Sequence, residues 1–307
     1  MPKIKKKNSE KIDRRSDRDN VGTSYYTLIT VRKYTTAAIT TDALNLGPHW
    51  IYDQEVLIKE FPNGLVELRD PLSSYHPNRR AGQLTHIGDQ VAYLQQSIEM
   101  QGGYNHQHWR NYWVSKMSAY DGYLDSATKE VLSREGREAS QSEEFSVLSR
   151  IAPILDLDIG VEEKVDFAQQ QAGLTHGGPV ILDGVAFFVR VIDHISKGNT
   201  IREAFEIEAD NERYPILKPA RAMAKAEQQA AEDYLQVAQA FGQACSFSAA
   251  FPLTLYFALH HSEDYTHCMK VNALAGGDTT ARAIILAMLI VAREGGIGDS
   301  LLKELKF

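Results

Sequence analysis

The sequence predicts an all-α fold, built as a single compact domain of many helices. Three observations carry that expectation. Apolar residues recur at intervals of three and four along most of the chain, alternating strand patterns are scarce, and no Pro/Gly/Ser-rich linker divides the 307 residues. A helix is expected over 89–101, where Val91, Leu94 and Ile98 share a face and Asp89 caps the start. Another is expected over 106–118, with Trp109, Tyr112, Trp113 and Met117 at helical spacing. Residues 180–197 repeat the pattern through Ile181, Val185, Phe188, Val189, Ile192 and Ile195. Residues 281–293 do so through Ala281, Ile284, Ile285, Met288, Leu289 and Ala292. The stretch 217–242 is rich in the helix formers Ala, Glu, Gln and Lys. Residues 243–260 are almost continuously apolar, and a buried helix is expected to start near Phe251-Pro252. Only Thr27–Val31 reads as a brief extended segment. Gly47-Pro48, Pro62-Asn63-Gly64, Gly102-Gly103, Gly177-Gly178-Pro179 and Gly295-Gly296 punctuate the helices.

Composition narrows the function. The net charge of −7 argues against a nucleic-acid-binding body. The first twenty residues differ, with eight Lys and Arg against four Asp and Glu. They carry +4 and leave −11 on the remainder. Residues 1–22 are therefore expected to be a disordered basic tail, and 23–307 the folded domain. The start of the chain has no apolar signal segment, and no stretch is long enough to span a bilayer. Cys245 and Cys268 are the two cysteines, which suits a reduced compartment. A cytoplasmic protein without membrane partners is the expectation.

Several chemical motifs are missing: G-x-S-x-G, the phosphate loop, H-E-x-x-H and paired C-x-x-C. His260, Asp264, His267 and Cys268 have tempting spacing for a zinc site, but Ser262-Glu263-Asp264 reads as a cap that starts a new helix, so they need not share a face. More informative are two similar corners, Thr85-His86-Ile87-Gly88-Asp89-Gln90 and Gly276-Gly277-Asp278-Thr279-Thr280-Ala281. Each sets an acid where an apolar helix begins. There the positive end of the helix dipole and free N–H groups suit a carboxylate or an anionic ligand. Two further clusters, Thr40–Asp53 with Asp42, and Leu174-Thr175-His176-Gly177-Gly178-Pro179, also place polar groups beside apolar helices. Between them, Tyr75-His76-Pro77 and Arg79 supply a polar loop. Taken singly, each has a plainer role as a cap or a loop residue.

Taken in order, these segments resemble the ADP-ribosylglycohydrolase family, in particular the branch that includes the jellyfish J-type crystallins. The resemblance runs from about Leu28 to Glu294 and includes Thr41-Asp42-Ala43-Leu44-Asn45-Leu46-Gly47-Pro48-His49-Trp50-Ile51-Tyr52-Asp53 and Phe251-Pro252-Leu253. It implies an all-α fold whose active members hold two magnesium ions between Thr-Asp-Asp-Thr and Asp-Thr-Asp-Thr motifs. In those members, the ions orient a ribose and a water that cleaves its anomeric bond. The present chain departs from both motifs. Ile87, Gly88, Asp89 and Gln90 stand at the first, and Asp278, Thr279, Thr280 and Ala281 at the second. Asp89 and Asp278 keep carboxylates and are expected to hold a cation or position water, sharing one cleft. Two carboxylates neutralise half the charge of two divalent ions, so one magnesium or none is expected. Asp42, His76, His176, Gly277 and Thr280 are the expected contacts of an ADP-ribose-type ligand or an ADP-ribosylated substrate. The resemblance thus implies a divergent ADP-ribosylglycohydrolase-like protein that hydrolyses or binds a ribosyl group. A non-catalytic, crystallin-like structural role is the alternative.

Overall fold

A computed structural model describes residues 32–65, 67–210 and 212–297. The basic tail and Thr27–Val31 lie outside the described residues. Fourteen α-helices and one 3₁₀ helix are present among those described. Extended pairing there is limited to three isolated bridges, Ile51 with Gly277, Ser140 with His176 and Glu144 with Ser246.

The centre of the molecule is α14 (Thr279–Glu294), in which every residue from Thr279 to Ala292 is buried. A helix that is apolar all round must be covered from every side. Here α1 (Lys33–Asn45) runs most extensively along it, with α8 (Pro179–Ser196), α12 (Phe247–His260), α13 (Tyr265–Ala275) and the 3₁₀ helix (Phe145–Ile151) around the rest. Small residues on α1 (Ala37, Ala38 and Ala43) are fully buried and permit the close approach. α3 (His86–Gln101) lies against α1 and against α4 (His106–Ser118). α7 (Val161–Gly173) packs on α8. Smaller helices complete the shell: α2 (Gln54–Glu60), α5 (Ser126–Ser133), α6 (Ala152–Leu155), α9 (Ile201–Ala209), α10 (Pro219–Gln228) and α11 (Tyr234–Phe241). No described helix is long and apolar enough to cross a membrane.

The helix at 106–118 has the expected bounds and those expected at 180–197 and 281–293 lie within two residues of theirs, whereas three others differ more for local reasons. α3 begins three residues early because the Thr85 hydroxyl accepts the Ile87 N–H at 3.1 Å, so Thr85, not Asp89, is the cap. The stretch 217–242 forms two helices, because Asp233 accepts the Leu235 N–H at 2.9 Å and starts α11 afresh. α12 starts at Phe247, earlier than Phe251-Pro252, and Pro252 sits inside it. Asp264 caps α13 by accepting the His267 N–H at 2.7 Å, as the Ser-Glu-Asp reading expects.

Aromatic packing ties α8 to its neighbours. Phe187 stacks on Phe205 at 5.9 Å and meets Phe188, Tyr214 and Phe251 edge-on. Phe187→Ala should therefore lower unfolding stability by about 3–5 kcal/mol. Urea denaturation should show the midpoint falling at constant slope; a loss below about 1 kcal/mol would mean this cluster adds little.

Candidate functional site

The site is assembled by the loops that enter α3, α8 and α14, together with the loop that leaves α1. Backbone pairing locks two of them together: Trp50 N–H donates to Gly277 O at 2.9 Å, and Gly277 N–H donates to Ile51 O at 2.8 Å. Gly276 and Gly277 have φ of 82° and 74°. A Cβ on Gly277 would collide with the Gln243 carbonyl oxygen, and Asp278 N–H donates to that oxygen at 2.9 Å. Gly277 is thus needed for the close approach of Gln243 backbone, which fills the space beside it.

Asp278 is 1% exposed and caps α14. Its carboxylate lies 3.7 Å from His49 Nδ1. Burial pushes its pKa up to about 6, against the pull of the Arg282 guanidinium. Arg282 is itself fully buried and donates to Asn272 Oδ1 at 3.0 Å and to Gly276 O at 2.7 Å. Thr280 is also fully buried. Its N–H points at His49 Nδ1 at 3.5 Å, and its hydroxyl has no partner among the described residues.

His49 opens onto a group of rings. Its centroid is 5.3 Å from His76 and 6.5 Å from His86, and Trp50 lies within 4.4, 5.1 and 5.3 Å of His49, His76 and His86. Tyr123 and Tyr75 meet the Trp50 indole edge-on at 4.6 and 5.3 Å. Trp50 reaches this place with a φ of 61°, outside the usual range for a bulky residue. Burial holds His49 well below the ordinary histidine range and brings His76 and His86 down to about 4. All three are therefore neutral at pH 7. Each keeps one buried ring nitrogen without a partner among the described residues: Nε2 of His49, Nε2 of His76 and Nδ1 of His86.

Asp42 and Asp89 flank the start of α3 in different ways. Asp42 is fully buried, and its two oxygens accept from Thr85 N–H at 3.0 and 3.1 Å and from Thr85 Oγ1 at 2.8 and 2.9 Å. Burial raises its pKa to about 7, against these bonds and one from the Gly88 N–H. Gly88 has ordinary helical backbone, but a Cβ placed there would lie 2.5 Å from each Asp42 carboxylate oxygen. Asp89 faces elsewhere: its Oδ2 accepts from Arg79 at 2.8 Å and from Tyr120 Oη at 2.6 Å. His176 completes the set from the loop before α8. It bonds Thr175 Oγ1 through Nδ1 at 2.8 Å and keeps Nε2 unpartnered among the described residues. With Asp125, Gln90 and Arg150, it lines a cavity of about 10 Å³. Burial, helped by Arg150, lowers its pKa to about 3.

The structure therefore links Asp278, Thr280 and His76 through His49, and anchors Asp42 under α3. Asp89 it pairs with Arg79 and Tyr120. His49, Trp50 and His86 stand inside the quoted motifs, yet ring contact between them is not visible in sequence. Asp125 and Glu144 carry no motif at all. Glu144 is raised to about 7 by burial and by the nearby Asp125 and Asp278, whereas Asp125 stays low because His86 and two Thr128 hydrogen bonds outweigh its burial. Among the described residues no group of three or more His, Cys, Asp or Glu side chains is arranged to hold a metal ion.

These imidazoles make stability depend on pH. His86 has its folded pKa lowered to about 4, so its contribution is complete above the unfolded value and is lost as pH falls through the window from about 6.5 to 4. The destabilisation caused by His86→Gln should accordingly be largest near pH 7.5 and shrink by up to about 1.4 kcal/mol per pH unit within that window. Urea titrations at pH 7.5 and 5 test this. A pH-independent difference would mean that the fold leaves the His86 titration unshifted from the unfolded chain.

Comparison with known proteins agrees with this arrangement of helices and motifs. A solved structure described as an ADP-ribosylglycohydrolase-related protein complex superposes with a TM-score of 0.64 at 16% identity, over 90% of this chain and 92% of that one. At that identity the likeness speaks for the fold. No curated protein matches the chain in sequence. The family model for ADP-ribosylglycohydrolase matches residues 35–306, which takes in both acidic corners and the central helix between its caps. The chain belongs to the ADP-ribosylglycohydrolase family.

Proposed function

We propose that this member uses the buried polar groups at the start of α14 to bind an ADP-ribose-type ligand, and that it hydrolyses ADP-ribosyl bonds slowly or not at all. The carrying observation is a set of buried polar atoms on His49, which lies beside Asp278, and on His76, His86, Thr279 and Thr280 that have no partner among the described residues. Buried polar atoms are nearly always satisfied, so a group of them points to a ligand rich in hydroxyls. Neutral imidazoles and threonine hydroxyls both donate and accept, which suits ribose oxygens. Trp50, with the half-exposed Tyr75 beside it, offers flat apolar surface for the remainder of the ligand.

The family's pair of magnesium ions does not fit these residues. Asp42 has both oxygens engaged by Thr85, Asp89 is neutralised by Arg79, and positions 88 and 280 carry no carboxylate. Hard divalent cations need clustered oxygen ligands with net negative charge. In our reading Asp278, capping α14 next to His49, is the acid that orients a water, while the surrounding imidazoles bind and position the ligand. A second reading is a purely non-catalytic binding or structural protein, and the Arg79–Asp89 pair supports it, because it withdraws an acid from chemistry. A cytoplasmic location remains part of the proposal.

Calorimetry with ADP-ribose separates these readings from the metal-dependent one. Affinity should be the same within about twofold in EDTA and in saturating Mg²⁺. Thr280→Val and His76→Phe should each weaken it about tenfold, the cost of a lost hydrogen bond in a buried site. Turnover on an ADP-ribosylated peptide should be marginal; brisk turnover abolished by EDTA would overturn the proposal.

Restoring the motif acid has a structural obstacle. Gly88→Asp alone should cost about 2 kcal/mol or more, because its Cβ displaces the Asp42 carboxylate from Thr85. Asp42→Ala combined with Gly88→Asp should be less destabilised than the two single changes predict together. Additive losses in a double-mutant cycle would show that the two positions do not compete for one space.

A further inference from the structure

Away from the start of α14, a cavity of about 250 Å³ opens between α10 and α12. We propose that it is a second binding site, for a compact amphipathic organic anion: an apolar ring or short chain bearing a phosphate or carboxylate. Its floor is apolar, formed by Leu217, Phe247 and Phe251, each at most 8% exposed. Ile216, 54% exposed, extends this apolar lining toward solvent.

The rim is cationic. Lys218 precedes α10 as its cap residue, Arg221 lies in the first turn and Lys225 in the last turn, and all three line the opening. All three are exposed, and among the described residues none forms an ion pair. Glu143, across the opening, is the one acid that lines the cavity. Arg221 and Lys225, four residues apart, repel each other along the helix, and Arg221 in its first turn opposes the dipole. An anion bound among them relieves both costs. Lys218 also sits at the helix boundary with φ 49° and ψ 60°, a left-handed conformation that costs a non-glycine residue about 1 kcal/mol. The volume is below that of a drug-sized site, which limits the apolar body to one or two rings. Charge and floor together select the class, since inorganic phosphate leaves the floor bare and a neutral aromatic leaves the rim unpaired.

Calorimetry on the full chain tests this with 1-naphthyl phosphate, 1-naphthol and inorganic phosphate. The naphthyl phosphate should bind with a one-to-one stoichiometry, and the other two about tenfold more weakly or worse. Arg221→Glu with Lys225→Glu, both exposed, should weaken it at least tenfold, and Ser248→Trp, at the opening, should block it. Thr280→Val at the start of α14 should leave it unchanged, which separates this site from that one whether or not ADP-ribose binds there. No saturable binding at about 1 mM would overturn the assignment. So would equal affinity for 1-naphthol, indifference to the double substitution, or sensitivity to Thr280→Val.

Discussion

The burial of α14 on every side is the constraint on which the rest of the structure depends. An isolated apolar helix has no stable place in water, and the chain covers it with α1, α8, α12, α13 and the 3₁₀ helix. That cover carries the N-terminus of α14 into the interior, where its free N–H groups require partners. Asp278 accepts one of them, and the Gln243 carbonyl and the Ile51 bridge hold the turn that precedes it. A polar site inside an apolar domain is thus a consequence of ending the central helix there. Its desolvation in turn keeps the imidazoles neutral and raises the carboxyl groups of Asp278 and Glu144.

The corner at the start of α3 is organised around a buried carboxylate. Asp42 approaches the start of α3 from α1 and binds Thr85 through both oxygens, and only a glycine at 88 leaves room for it. The carboxylate there stabilises a helix N-terminus, a role that uses the lone pairs a cation needs. Asp89, one residue further along, turns toward Arg79 and Tyr120. Near Asp278 stand His49, His76 and His86, whose neutral imidazoles can each donate and accept a hydrogen bond.

Much of this was legible from local pattern. The helices at 106–118, 180–197 and 281–293 follow from apolar spacing, because a buried face imposes its period on the sequence. Helix starts were less legible. Thr85 displaced Asp89 as a cap, and Pro252 proved compatible with a helix interior close to its beginning. Both outcomes turn on which neighbouring groups accept or replace the early N–H bonds, and that is set by surroundings.

By itself, the sequence determined the helical class, the central apolar helix and the ordered set of turns that carries family membership. These are properties of residue spacing along one chain, which backbone geometry translates directly. Only the tertiary structure decided that His49, His76 and His86 share contact with Trp50, that Asp42 takes the room before Gly88, and that Asp89 is spent on Arg79. Those relations join residues far apart in the chain, and a carboxylate's role depends on the donors and charges brought within a few ångströms of it, which spacing along the chain does not encode.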